Sequence, residues 1–294
     1  DTCNKISKYM QKVGYECRII GVPKTIDNDL YGTDHCPGYA SAAKYIATSC
    51  MEVWQDAHVY DTGMVTIIEI MGRHAGWLAG AAGLATWAGF GPDLVYLPET
   101  DFDMDRFIAD IKAVYDKTGK CMVAVSEGIH YADGTFVSEA KTSATDGFGH
   151  AQLGGLAVSL AETVKQRLGV NKVRGIELSL LQRCAAHCAS KTDIDEAYLA
   201  GRAAVDAAVS GVTDKMVSFK CSRDRGYHCE IALEPLDVVA NFEKKVPREW
   251  INEAGNGVNQ AFIDYALPLI QGDANPPQEF SLPRFAKLKK ILAE

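Results

Sequence analysis

The sequence predicts an α/β protein whose mostly parallel sheets are sandwiched by helices. Three observations carry that expectation. Apolar runs of strand length alternate with helix-period stretches, the joints between them are short, and Gly, Pro, Asn and Asp cluster at those joints. Asn4 to Val13 is read as a helix and Glu16 to Val22 as the first strand. Pro37-Gly38 then introduces a helix through Ala40, Ala43, Ile46 and Ala47 toward Trp54. Next come a strand from Met64 to Ile70, a helix from His74, a strand from Leu94 to Leu97, a helix from Asp103 to Tyr115 and a strand from Cys121 to Val125. Past Ser126-Glu127-Gly128 the alternation changes. Asp133-Gly134 reads as a hairpin turn and Lys141 to Asp146 as a surface loop. A helix is expected from about Gln152 to Leu168, then a strand from Val173 to Leu178. Lys215 to Lys220 and Tyr227 to Leu233 bracket Arg223-Asp224-Arg225-Gly226 as an antiparallel ribbon. With no internal repeat, low-complexity tract or long linker, two intertwined lobes are expected rather than two separate beads.

Composition narrows the function classes. The 294 residues are 47% hydrophobic, enough for a large core in one large or two medium domains. A net charge of −8 with no Lys/Arg-rich block argues against a nucleic-acid or anionic-membrane surface, so an anionic substrate would need a focused cationic pocket. No apolar run approaches the roughly eighteen residues of a spanning helix, and the opening residues lack the order of a signal peptide. A soluble, cytoplasmic protein is expected. Nine cysteines, an odd number scattered along an α/β chain, fit reduced and mostly buried thiols better than a disulfide framework. Cys184-Ala185-Ala186-His187-Cys188 invites a metal reading, but no second Cys/His pair stands at zinc-ligand spacing, and small residues facing a core or cleft explain the run.

In open α/β sheets ligands bind beyond the carboxyl ends of the strands. The residues at those ends form one set: Lys24, Thr25, Asp27 and Asp29 after the first strand, Met71, Gly72 and Arg73 after the second, Glu127 after another, and Arg183 beyond the strand that holds Arg174. Moving a phosphoryl group to an alcohol needs a carboxylate to take the hydroxyl proton, a divalent cation on the donor phosphates and cations on the developing charge. This set supplies each part. Blander readings exist for single members. A Thr-x-Asp-Asn-Asp string can be only an Asx-rich turn, and arginines near strand ends often make surface ion pairs. His74 reads as a helix-start residue. Gly147-Phe148-Gly149-His150 and Gly154-Gly155 lack dinucleotide or P-loop spacing and fit helix entry and close packing, while Trp77 and Trp87 read as core.

Thr25-Ile26-Asp27-Asn28-Asp29 followed by Met71-Gly72-Arg73, at this order and spacing, resembles the phosphofructokinase family over nearly the whole chain. The resemblance implies two Rossmann-like lobes. Residues 1–36 would belong to the donor-phosphate lobe, and 37–294 mainly to the sugar-phosphate lobe, with C-terminal segments returning to the first. It implies Asp27 as general base for the 1-hydroxyl of fructose 6-phosphate, with Thr25 beside it, and Asp29 as a ligand of magnesium. Arg73 would steady the transferring phosphoryl group within the Met71-Gly72-Arg73 sugar-phosphate loop. Glu127 would hold the sugar, Arg183 its 6-phosphate, and Arg174 the same phosphate across a subunit interface, hence a homo-oligomer. Pro23-Lys24-Thr25 is most similar to the pyrophosphate-dependent members, where a lysine can hold a pyrophosphate oxygen; some ATP-dependent members carry the same lysine, so ATP stays open as donor. A non-catalytic regulatory subunit of the same fold is a second alternative.

Three departures qualify the resemblance. Family chains open with a strand, a Gly-rich phosphate turn and a Gly-Gly-Asp loop that discriminates the donors. This sequence starts within the helix that would follow, so the N-terminal third is expected to lie outside it, with the donor-phosphate cradle and one magnesium ligand. Met64 stands where many bacterial members have an interface arginine, and Leu180 where His or Tyr is common. Lys220 or Arg223 in the later ribbon are candidates to replace those contacts.

Overall fold

A computed structural model describes residues 1–138 and 155–292. The stretch 141–146, the motif 147–150 and Gly154 fall outside the described residues. Two sheets organise the rest, one of three strands and one of four, with a separate two-stranded hairpin near the C-terminus.

The larger sheet is all parallel. β2 (Met64–Ile70) lies between β4 (Lys120–Ser126) and β5 (Val173–Glu177), and β3 (Leu94–Tyr96) flanks β4. Every residue of β2 is buried, which is why it reads as an uninterrupted apolar run rather than an alternation. One face packs against α2 (Tyr39–His58), α3 (Trp77–Gly80), α4 (Ala82–Trp87) and α9 (Gln260–Ala266), with Ile46, Ile68, Ile70 and Phe262 in the shared core. On the other, α5 (Met104–Thr118) and α6 (Leu156–Leu168) bury Phe107, Ile111 and Leu160 against Val65, Ile67 and Val123. α5 forms where expected because Asp103 caps it, accepting from Arg106 N at 2.8 Å, and Gly119 ends it at φ 71°. The expected helix from His74 starts three residues later and splits at Ala81. Gly80 and Gly83 there lie so close to Phe262 and Val258 that a Cβ would sit 2.6 Å and 2.3 Å from them. Trp77 is core, but Trp87 at the end of α4 is 54% exposed, contrary to expectation.

The smaller sheet joins the two ends of the chain. β6 (Lys215–Ser222) pairs in parallel with β1 and antiparallel with β7 (His228–Pro235), forming the expected ribbon. α7 (Lys191–Val209) covers one face through Ala200 and Ala204, while α1 (Thr2–Lys12) and α8 (Leu236–Val239) lie on the other. The first strand is shorter than its apolar pattern predicts. Only Ile20–Gly21 form β1, because Asp214, at φ 61°, turns the chain just before β6. Ile19 N therefore bonds the Thr213 hydroxyl at 2.9 Å instead of a ladder carbonyl. The Asp133-Gly134 turn is present, with Gly134 N donating to Tyr131 O at 2.8 Å. Near the C-terminus β8 (Gln278–Glu279) and β9 (Leu282–Pro283) make the short hairpin.

Glu69, one residue before the end of β2, is 3% exposed and accepts from Ala157 N at 2.9 Å at the start of α6. Burial, helped by the charges of Glu177 and Glu127, raises its pKa to about 7 from 4.5. The folded state therefore holds a proton that the unfolded chain has released, and stability falls as pH rises from 4.5 to 7, by about 3 kcal/mol in all. Glu69→Gln keeps an acceptor for Ala157 and is expected to remove that decline. Urea midpoints of the two proteins across this window test it; parallel curves would refute the assignment.

Candidate active site

Beyond β1 the chain runs through Pro23 into a loop held from within and from behind. Thr25 Oγ1 accepts from Asp27 N and donates to Asp27 Oδ2, each at 3.1 Å. Asn28 sits at φ 58°, a conformation that Asn tolerates better than most residues. Its buried side chain donates to the Tyr265 hydroxyl at 2.7 Å and accepts from Cys36 N at 2.9 Å. Asp29 O accepts from Lys244 N at 2.7 Å. Asp27 and Asp29 thus flank an immobilised residue. Lys24 is exposed at the entrance to the loop.

The adjacent ends of β2 and β4 supply the second wall. Ile70 and Ser126 are paired, so Met71-Gly72-Arg73 and Glu127-Gly128 leave the sheet side by side. Gly72 N donates to Glu127 Oε1 at 3.2 Å, while Gly72 O accepts from the Ser126 hydroxyl at 2.5 Å and from Gly128 N at 3.1 Å. Gly72, at φ 140°, is a conformation closed to other residues without strain. Burial raises the Glu127 pKa, the Gly72 N–H and Arg73 oppose that shift, and Asp27 and Glu177 reinforce it. Arg73 and Asp27 are therefore both within electrostatic reach of Glu127, which joins the two walls into one site.

A third contribution follows β5. The 3-10 turn Ser179–Arg183 carries buried Gln182, whose Oε1 accepts from Met71 N at 3.2 Å, and exposed Arg183. Arg183 and Ile26 line one cavity of about 240 Å³, together with Gly38 and Ser41 at the start of α2. Cys184, Ala185 and Ala186 line it too, and among the described residues Cys184, His187 and Cys188 do not gather as a metal cluster. Burial and then the neighbouring Asp27 charge raise the Asp29 pKa.

The structure thus brings together Thr25, Asp27, Met71, Gly72, Arg73, Glu127 and Arg183. Arg174 is elsewhere, exposed on β5 and paired with Asp56 at 2.7 Å. Lys220 is bound to Glu234 at 2.7 Å and Arg223 to both oxygens of Asp34 at 2.8 and 2.9 Å. Asn28, Gln182, Tyr265 and Lys244 support the site without having been singled out in the sequence. The one local signal was Asn28 between two acids, since the others reach it from 111 to 237 positions away.

Residues 1–176 match the family model described as phosphofructokinase. The chain belongs to the phosphofructokinase family. It is 46% identical to the pyrophosphate–fructose 6-phosphate 1-phosphotransferase of Halomonas elongata over 100% of this chain and 70% of that protein. With the enzyme of the same name from Methylococcus capsulatus it shares 43% identity over 99% of this chain and 69% of that one. The fold superposes on the pyrophosphate-dependent phosphofructokinase of Marinobacter aquaeolei with a TM-score of 0.88 and 40% identity, covering all of this chain and 70% of the other. This phosphofructokinase-family chain is therefore an enzyme of the phosphotransferase class.

Proposed function

We propose that this chain transfers a phosphoryl group from pyrophosphate to the 1-hydroxyl of fructose 6-phosphate. The observation that supports this most is the convergence of the Thr25–Asp29 loop with Arg73 and Glu127 at adjoining strand ends, in a chain whose relatives carry that name. In this reading Asp27 Oδ takes the proton of the 1-hydroxyl as it attacks. Thr25 fixes the Asp27 carboxylate through their mutual hydrogen bonds. Arg73 balances charge on the transferring group, Glu127 holds a sugar hydroxyl, and Arg183 takes the 6-phosphate at the mouth of the cavity. Arg174, turned away from this site, would serve a neighbouring subunit's sugar phosphate in a homo-oligomer.

Magnesium fits the donor set: neighbouring hard carboxylates of Asp27 and Asp29, the latter destabilised as an anion by burial. Asp29 would hold the ion, which would shield the donor's negative charge. The smaller sheet, residues 1–36 with the returning C-terminal strands, would form the donor lobe, and the remainder mainly the sugar-phosphate lobe. Among the described residues no helix is long and apolar enough to cross a membrane; the cytoplasmic location is proposed with the sugar-phosphate reaction.

A coupled assay of the full-length gene product with magnesium pyrophosphate and magnesium ATP in parallel tests the donor. Turnover with ATP alone would replace pyrophosphate in this proposal, and sugar binding without turnover would favour a regulatory subunit. Lys24→Gly is expected to raise KM for pyrophosphate by roughly tenfold, the loss of about one charge-assisted contact. An unchanged KM would remove Lys24 from the donor site.

A further inference from the structure

Cys221 and Cys229 face each other on β6 and β7 as direct cross-strand partners, one pair before the ribbon ends at Ser222 and His228. Both thiols are free and partly buried, packed on the α7 side of the sheet. Around them stands a charged cluster with no part in the proposed phosphoryl transfer. His35, 0% exposed, bonds Asp34 Oδ1 at 3.0 Å through Nδ1 and Glu196 Oε2 at 2.6 Å through Nε2. Cys221 Sγ lies 3.9 Å from His35 Nδ1 and 3.5 Å from the Tyr227 hydroxyl, which donates to Glu196 Oε1 at 2.6 Å. Asp34 in turn carries Arg223 on both carboxylate oxygens.

Burial disfavours charge on His35, but its bonds to Asp34, Cys221 and Glu196 outweigh that and set its pKa at about 10, so it is an imidazolium. Asp34, His35 and Cys221 present ligand atoms within 4.8 Å of one another, and the Arg223 guanidinium already bonds both Asp34 carboxylate oxygens there. The same surroundings suit a thiolate. Hydrogen bonds from Cys229 and then from His35 lower the Cys221 pKa against burial and the Asp34 charge, whereas Cys229, as donor to Cys221, is raised. The pair is thus asymmetric: Cys221 is the member beside the His35 ring, 3.9 Å from Nδ1.

We propose that Cys221 and Cys229 form a redox modification site, a dithiol that a low-molecular-mass disulfide of the glutathione type converts to a cross-strand disulfide, with Cys221 attacking and Cys229 closing the bond. The Cys221 thiolate attacks one sulfur of the oxidant, whose S–S bond breaks and releases a first thiolate, which takes up a proton. Cys229 then loses its proton and attacks Cys221 Sγ in the mixed disulfide, expelling the second thiolate. Two electrons and two protons pass from the cysteine pair to the oxidant, giving one protein disulfide and two small thiols. Opposed residues on antiparallel strands have Cβ atoms about 4.5–5.5 Å apart, and a disulfide needs about 3.5–4.5 Å. Closure therefore asks for a shift of about 1 Å, next to a turn where the ladder has only one further pair.

The test is peptide mapping of the full chain after oxidised glutathione, sampled over time at pH 6 and pH 8. A peptide joining Cys221 to Cys229 is expected at both pH values, and free Cys221 thiol is expected to disappear at rates that differ by less than about fivefold between them. A cysteine reference peptide with an ordinary pKa of about 8.5 slows roughly seventyfold over the same interval. Cys229→Ser is expected to stop at one glutathione on Cys221, and Cys221→Ser to leave Cys229 unmodified. The proposal is overturned if the wild-type chain carries glutathione on exposed Cys184 while both ribbon cysteines stay free. It is equally overturned if free Cys221 thiol disappears with the reference peptide's pH dependence. The wild-type map decides the matter even if a variant fails to fold.

Discussion

Asp27→Ser is expected to lower turnover by about 10²–10⁴-fold while KM for fructose 6-phosphate moves little. The expectation follows from the difference between holding a substrate and taking its proton. A neutral hydroxyl is only a weak hydrogen-bond donor to the carboxylate in the ground state, so the carboxylate contributes little to binding. As attack proceeds the proton becomes acidic, and serine, with no basic lone pair of comparable strength, cannot receive it. The loop itself should survive the change. Its position is set by Asn28 on Tyr265 and Cys36 and by the Lys244 bond to Asp29 O, none of which uses the Asp27 side chain. Thermal midpoints within a degree or two of wild type should accompany the lost turnover. A large rise in KM at preserved turnover would instead make Asp27 a binding residue and move the general base elsewhere.

How much of this was legible from residues follows from the range of the forces involved. β2 and β4 could be placed almost to the residue because strands buried on both faces announce themselves as continuous apolar runs. The same reading overshot at Glu16 to Val22, where hydrophobicity says that a strand is possible but not how long its partner remains in register. Arg73 and Glu127 were visible because strand ends in a parallel sheet share one edge, whereas Asp27 follows a strand of the smaller sheet and was visible through the Thr25–Asp29 motif. Gln182, Tyr265 and Lys244 were not, since their importance lies in hydrogen bonds to a distant segment. Trp87 failed for a related reason: an apolar helix pattern shows that one face is buried, and α4 is too short for its last residue to be assigned a face. Arg223 shows the limit for charges: it was a plausible phosphate ligand by type, and it is paired with a carboxylate, Asp34, that no local pattern connects to it.

Gly128→Ala is expected to cost stability and turnover together, and the reason lies in backbone contact. A Cβ at position 128 would stand 1.9 Å from Arg73 O and 2.5 Å from Gly72 O. Both obstacles are main chain, so no side chain can rotate aside, and the Met71–Arg73 segment has to move away from the end of β4. That movement breaks the Gly128 N to Gly72 O bond and disturbs the Gly72 N contact with Glu127. Overpacking of this kind costs about 1–3 kcal/mol, and the broken hydrogen bond adds on the order of 1 kcal/mol. Displacing Arg73 by about 1 Å is enough to lower turnover by roughly a hundredfold. Gly201→Ala in α7 is the control: a Cβ there meets nothing within 4 Å, and alanine is the better helix residue by roughly 0.5–1 kcal/mol. The comparison separates a general intolerance of substitution from a specific need for close approach at the strand end. If Gly128→Ala matched Gly201→Ala in denaturant midpoint and kept wild-type turnover, the packing of the Arg73 loop on β4 could not be what positions the arginine.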